Sequence, residues 1–227
     1  MIGEDSTTYL FSEVAAHRIF HMLPQAKIIL MIRNPVERAH SQYWHLMKTA
    51  RTTDMLETAL YKHPSIMLGS TYKRSIEHYF NIFGRERVLV LLFEEFVKDT
   101  QNAIDQATDF LGASRMTVEA RRSWYNRTFY PATEKAQRRL NRFGGLIVRQ
   151  RYRNHMGARR GPSEAMRRKI QYWWFEKINP RFFTEPRPPS MRPETRAYLA
   201  RHLADRNRGL SELLGRDLSE AWTGFSA

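Results

Sequence analysis

The chain has 227 residues, with 37 Lys and Arg against 23 Asp and Glu, a net charge of +14 and no cysteine. That length suits one α/β domain with a sizeable core. The absence of cysteine excludes disulfides, a thiolate zinc site and a cysteine nucleophile. No apolar run approaches the ~18 residues of a membrane-spanning helix. Residues 1–5 carry neither the basic start nor the apolar core of a signal peptide, so a cytoplasmic protein is expected.

The charge implies an anionic partner: a phosphorylated nucleotide, an acidic glycan, nucleic acid or an anionic membrane surface. Much of the excess lies between Arg138 and Arg168, in clusters such as Arg149-Gln-Arg-Tyr-Arg153 and Arg159-Arg160. A solvated helical face and an anionic acceptor surface both explain such a run. Nucleic acid is the least supported partner, because no nucleic-acid motif accompanies the charge.

In chain order, Phe11, Val14, Ala15, Ile19 and Met22 recur at helical spacing and predict a helix over 11–23. Ile28 to Ile32 is an unbroken apolar run and reads as a strand covered on both faces. Asn34 then suits a helix N-cap, Pro35 the first turn, and Glu37 the capping-box position. The helix runs to about 49 and carries Tyr43, Trp44 and Leu46. Arg33 stands at the strand end as a planar, permanently charged donor fork. Ser41 lies about two turns into the helix and offers a hydroxyl. An Arg and a Ser flanking a strand-to-helix turn form a plausible clamp for a phosphate, since the helix start presents free N–H groups and a positive dipole end.

Residues 50–72 read as loop and short helix, ending in Leu68-Gly-Ser-Thr-Tyr72. A helix over 73–83 stops at Gly84. Val88 to Phe93 is a second buried strand, with Glu94 and Glu95 at its C-terminal end. Thr100 suits the cap of a helix that runs to Leu111 and stops at Gly112. From 115 to 192 the pattern blurs into basic, aromatic-rich helix and loop, and Ile178 to Pro193 reads as a surface loop. Pro193 starts a further helix, and Leu210 to Gly215 ends another. The alternation predicts an α/β fold, a parallel sheet flanked by helices. A single domain over 1–227 is expected, with its core in 1–112 and a basic helical part in 113–227.

The segment Arg33-Asn-Pro-Val-Glu-Arg-Ala-His-Ser41 closely resembles the 3′-phosphate-binding motif of sulfotransferases that use 3′-phosphoadenosine-5′-phosphosulfate (PAPS). The likeness is to heparan-sulfate-type sulfotransferase domains and their bacterial relatives. Gly3 to Leu10, Gly69 to Tyr72, Val88 to Glu94, Phe110-Leu-Gly112, Asn126-Arg127 and Asn207 to Leu218 resemble further family segments in the same order. The resemblance implies a P-loop-NTPase-like sulfotransferase fold. It implies transfer of a sulfuryl group from PAPS to a hydroxyl or amine of a glycan or small molecule, with adenosine 3′,5′-bisphosphate as the product and no metal. By the same resemblance, Arg33 and Ser41 bind the ribose 3′-phosphate.

Two departures stand against the family pattern. Family members begin with a strand, a Lys-bearing loop that cradles the 5′-phosphosulfate, and a helix; here these, and the usual catalytic Glu, belong upstream of residue 1. The family's Lys in Glu-Lys-Ser is Asp5 in this chain, an anion where a cation is expected. Three readings remain: a fragment of a longer enzyme, a degenerate non-catalytic binder of nucleotide or anionic polymer, and an enzyme using groups recruited from elsewhere. Without the first strand, a sheet edge should be exposed, and an oligomer through that edge is expected.

The remaining candidates each have a plainer role. Tyr72 suits a nucleotide contact or a core aromatic. Arg127 suits a nucleotide or acceptor contact or a surface charge. Glu94 suits structure at the strand end. His40, His45 and His78 suit packing or surface roles, and Trp173-Trp174 and Phe182-Phe183 packing over a sugar platform. The sequence singles out no catalytic base.

Overall fold

A computed structural model describes residues 2–49, 51–117, 130–131, 133–135, 137–139, 141–142, scattered positions between 166 and 185, 187–222 and 225. The chain divides into two compact units. The first comprises residues 1–39, 67–123 and 194–227; the second comprises 40–66 and 124–193.

The first unit is built on two apolar runs. Ile28–Ile32 (β1) and Val88–Leu92 (β2) pair in parallel, Ile28 opposite Val88 through Ile32 opposite Leu92. Helices α1 (Glu13–Met22), α5 (Lys73–Phe83), α6 (Phe93–Lys98), α7 (Thr100–Leu111), α8 (Pro193–Arg206) and α9 (Leu210–Leu214) belong to this unit. Leu30, Ile32, Val36, Ile76, Phe83, Leu92, Leu199 and Leu203 are buried in its core. The face of β1 carrying Ile29 and Met31 is less covered than its sequence suggests: these side chains are 38% and 43% exposed. An unbroken apolar run does not by itself say that both faces are packed, and here the strand alternates.

Local rules account for several helix ends. Ser12 Oγ accepts the Ala15 N–H at the start of α1. Gly84, at φ 81°, ends α5 where a side chain would be strained. The cap of α7 is one residue earlier than predicted: Asp99 Oδ1 accepts the Asn102 N–H at 3.0 Å, and the Thr100 hydroxyl donates back to Phe96 O at 2.9 Å. A carboxylate at the positive helix end is the better acceptor.

Helix α2 (Pro35–Lys48) starts in the first unit and continues in the second. The second unit also holds α3 (Leu56–Lys62) and an antiparallel pair, β3 (Tyr130–Pro131) with β4 (Phe183–Glu185). The pair corrects the reading of 178–193 as loop alone. Such short strands carry too little periodicity to be seen in sequence. A further short helix, α4 (Ser65–Leu68), joins residues of both units. The core of the second unit includes Tyr43, Trp44, Met47, Leu56 and Ala59. Several of its described polar groups are tied internally: Trp44 Nε1 donates to His40 Nε2 at 2.9 Å, and Asn141 Nδ2 to Met47 O at 2.7 Å. The Tyr43 hydroxyl meets Glu134 Oε1 at 3.1 Å and Asp54 O at 3.2 Å. These contacts give His40 a packing role, as expected.

Candidate anion site at the β1–α2 turn

The end of β1 turns directly into α2, and the turn is fixed from both sides. Asn34 Oδ1 accepts the N–H groups of Val36 at 3.0 Å and Glu37 at 3.3 Å, as an N-cap should. The expected capping box does not form. The Asn34 N–H is taken instead by Glu94 Oε1 at 2.8 Å, from the start of α6. Glu37 turns away and accepts from Arg196 Nη1 at 2.8 Å. The pair with Arg196 offsets an acidic side chain that would otherwise oppose an anion at this helix end.

Three side chains converge here with unusual electrostatics. The Arg33 guanidinium lies 5.2 Å from the centre of the Phe93 ring, and its Nε is buried without a hydrogen-bond partner. Tyr72 is only 2% exposed, and its hydroxyl likewise has no partner. Burial pushes that hydroxyl up to about 12, with Arg38 and Arg33 pulling it down and Glu94 pushing it further up. Arg38 packs over the Phe11 ring at 4.9 Å. Burial lowers its pKa, Tyr72 opposes that shift and Arg33 adds to it. Gly69 makes room for Arg38: a Cβ there would overlap the guanidinium. Two arginines held near each other in a desolvated place favour an anion between them.

The loop that carries Tyr72 is pinned by a distant residue. Asn207 Oδ1 accepts the Tyr72 N–H at 2.7 Å, and Asn207 Nδ2 donates to Ser70 O at 2.9 Å and Leu203 O at 2.8 Å. Asn207 is itself fully buried, so its amide is a built connector.

Of the predicted site residues, Arg33 and Tyr72 come together. Ser41 lies on α2, partly buried, about two turns from the helix start. Arg127 lies outside the described residues, as do Trp174 and Phe182. Glu94 has the strand-end structural role expected of it. His45 is exposed, and His78 packs edge-on against His17 with ring centres 5.0 Å apart. Sequence reasoning missed Arg38, Gly69 and Asn207. Arg38 carried a usable signal, an Arg in the second turn of the helix whose start reads as a phosphate clamp. Asn207 opened a recognisable segment, but its bonding role was not legible, because its partners Ser70 and Tyr72 are far away in sequence. Among the described residues no group of three or more His, Cys, Asp or Glu could hold a metal ion, and no helix is long and apolar enough to cross a membrane.

Residues 8–117 match the model of the sulfotransferase family. The human heparan sulfate glucosamine 3-O-sulfotransferase 6 is 26% identical over 144 residues, covering 59% of this chain and 42% of that protein. The bifunctional heparan sulfate N-deacetylase/N-sulfotransferase 1 of Xenopus tropicalis is 29% identical over 125 residues, covering 49% of this chain and 14% of that protein. The chain therefore spans about two fifths of the first of these relatives and less of the second. The crystal structure of a sulfotransferase from Alicyclobacillus acidocaldarius superposes with a TM-score of 0.60 at 24% identity, over 95% of this chain and 65% of that one. That likeness is one of fold. The family match falls on the stretch that builds β1, the β1–α2 turn and β2, so it is this part of the chain that is similar to the sulfotransferase family.

Proposed function

We propose that this chain binds PAPS through the β1–α2 turn and takes part in transferring its sulfuryl group to a hydroxyl or amine acceptor. One observation carries the binding half. Arg33 Nε and the Tyr72 hydroxyl are buried polar atoms without partners, beside Arg38 and the start of a 14-residue helix. Leaving such groups unpaired costs about 1–3 kcal/mol each. A phosphate would relieve that cost, accepting from the arginines and the tyrosine while the helix dipole favours its charge.

The family resemblance supports reading that phosphate as the ribose 3′-phosphate, bound by Arg33 and Ser41. Arg127 is proposed as a further nucleotide or acceptor contact on the same resemblance. Sulfuryl transfer proceeds by in-line displacement, in which positioning and charge stabilisation do most of the catalysis. Holding the departing adenosine 3′,5′-bisphosphate by its 3′-phosphate fixes the donor against the acceptor. Heparan sulfate sulfotransferases among the relatives, and a net charge of +14, favour an anionic glycan as acceptor. The test is calorimetric binding of adenosine 3′,5′-bisphosphate, with adenosine 5′-monophosphate as control. Preference for the bisphosphate supports the reading; equal or absent binding by folded protein removes it.

A further inference from the structure

The carboxylate that fixes the β1–α2 turn is itself held by the end of the chain. Glu94 Oε1 accepts the Asn34 N–H at 2.8 Å, and Glu94 Oε2 accepts the indole N–H of Trp222 at 3.1 Å. Trp222 is fully buried and stands 6.1 Å, ring centre to ring centre, from Tyr72. Its own position is well determined. Its backbone N–H donates to Leu218 O at 2.9 Å, the Phe225 ring packs edge-on at 5.7 Å, and Leu218 and Phe225 are buried. Just upstream, Arg216 pairs with Glu95, the neighbour of Glu94, and Arg85 Nη1 donates to Leu213 O at 2.6 Å.

We infer that Trp222 is a positioning residue for the anion site, acting through Glu94 on the Arg33–Asn34 turn. A lone carboxylate beside an anion site is a liability: it repels the ligand and is free to swing. Donors from two directions remove both problems. The Asn34 N–H and the Trp222 indole N–H engage one oxygen each, which fixes the carboxylate plane and draws its charge away from Arg33. The Asn34 N–H is thereby satisfied inside the protein, and the turn presents Arg33 in one orientation. The stretch from Leu218 to Trp222 thus contributes to donor binding without a ligand contact of its own.

This inference rests on the proposed function only for its binding half, and the experiment separates the two. Trp222→Phe keeps a ring against Tyr72 and Phe225 but deletes the N–H. Two quantities are measured on the full chain: hydrogen exchange of the Asn34 amide, and the affinity for adenosine 3′,5′-bisphosphate, each also in the Glu94→Ala background. A thermal melt confirms folding. The expected result is a roughly tenfold faster Asn34 exchange and an affinity about five- to tenfold weaker. In the Glu94→Ala background the same change should alter each less than about twofold, because the relay is already cut. Unchanged Asn34 exchange overturns the inference, as does an equal loss of affinity with and without Glu94, which would mark a merely structural role. If the unaltered chain binds no bisphosphate, the proposed function fails, and Asn34 exchange alone decides whether Trp222 braces the turn.

Discussion

Asn207 reaches back to the Gly69–Tyr72 loop, accepting the Tyr72 N–H at 2.7 Å and returning a hydrogen bond to Ser70 O at 2.9 Å. One amide near the end of the chain thus sets where the site tyrosine stands. Asn207→Ala leaves the Tyr72 N–H buried without its acceptor and removes the side-chain bonds to Ser70 O and Leu203 O, although Leu203 O keeps the Asn207 backbone N–H. Unfolding free energy should fall by roughly 2–3 kcal/mol, measured by chemical denaturation. A loss near zero would mean that water replaces the amide.

Tyr72→Phe separates binding from stability. Its hydroxyl has no partner, so deleting it should leave the free protein as stable as before or more stable by about 1 kcal/mol. Bisphosphate affinity should nevertheless fall by about three- to tenfold. Parallel losses of stability and affinity would show that the hydroxyl serves packing.

The same tyrosine gives a pH dependence of known sign. Its ordinary value is 10.0, and in the folded chain it is pushed up to about 12 by burial. The unfolded chain therefore ionises first as pH rises, and the stability contributed by the neutral hydroxyl is lost between about pH 10 and 12. At pH 11 the loss attributable to this group is about 1 kcal/mol. Tyr9, Tyr43 and Tyr79 are also raised, so the informative quantity is the difference between the parent chain and Tyr72→Phe at pH 9 and pH 11. A difference that does not change with pH would count against a buried, neutral Tyr72.

Gly69→Ala tests the close approach of Arg38. The new Cβ must displace the guanidinium, and with it the contact over Phe11. Because the guanidinium is the far end of a flexible side chain, only a small destabilisation, up to about 1 kcal/mol from the lost contact over Phe11, is expected, together with weaker bisphosphate binding. Unchanged affinity in a variant with a displaced Arg38 would remove Arg38 from the site.

What the sequence reveals here follows the range of the interactions. The strands Ile28–Ile32 and Val88–Leu92 and the ends of α5 and α7 follow from contiguous apolar runs and glycine stops, all local signals. The place of Arg33 at the end of β1 is legible because strand, cap and helix start lie within a few residues. The capping of Asn34 by Glu94 instead of Glu37 is not legible. It depends on β2 lying beside β1, which brings together groups 60 residues apart. Asn207 and Trp222 are further examples: Asn207 opens a recognisable segment and Trp222 follows the last described helix, but neither has a local pattern that points to a loop or turn far upstream. Gly69 lay inside a recognisable segment, but its reason for being glycine appears only once Arg38 is placed against it.

The central claim is that Arg33 and its turn form the donor's 3′-phosphate site. Calorimetric titration of the chain and of Arg33→Ala with adenosine 3′,5′-bisphosphate tests it most directly, with adenosine 5′-monophosphate alongside. Losing one charge-assisted phosphate contact should cost about 1.5–3 kcal/mol, or roughly 10- to 150-fold in affinity. The account predicts that loss for the bisphosphate and little change for the monophosphate. Equal affinity of folded Arg33→Ala and the parent chain for the bisphosphate would contradict it.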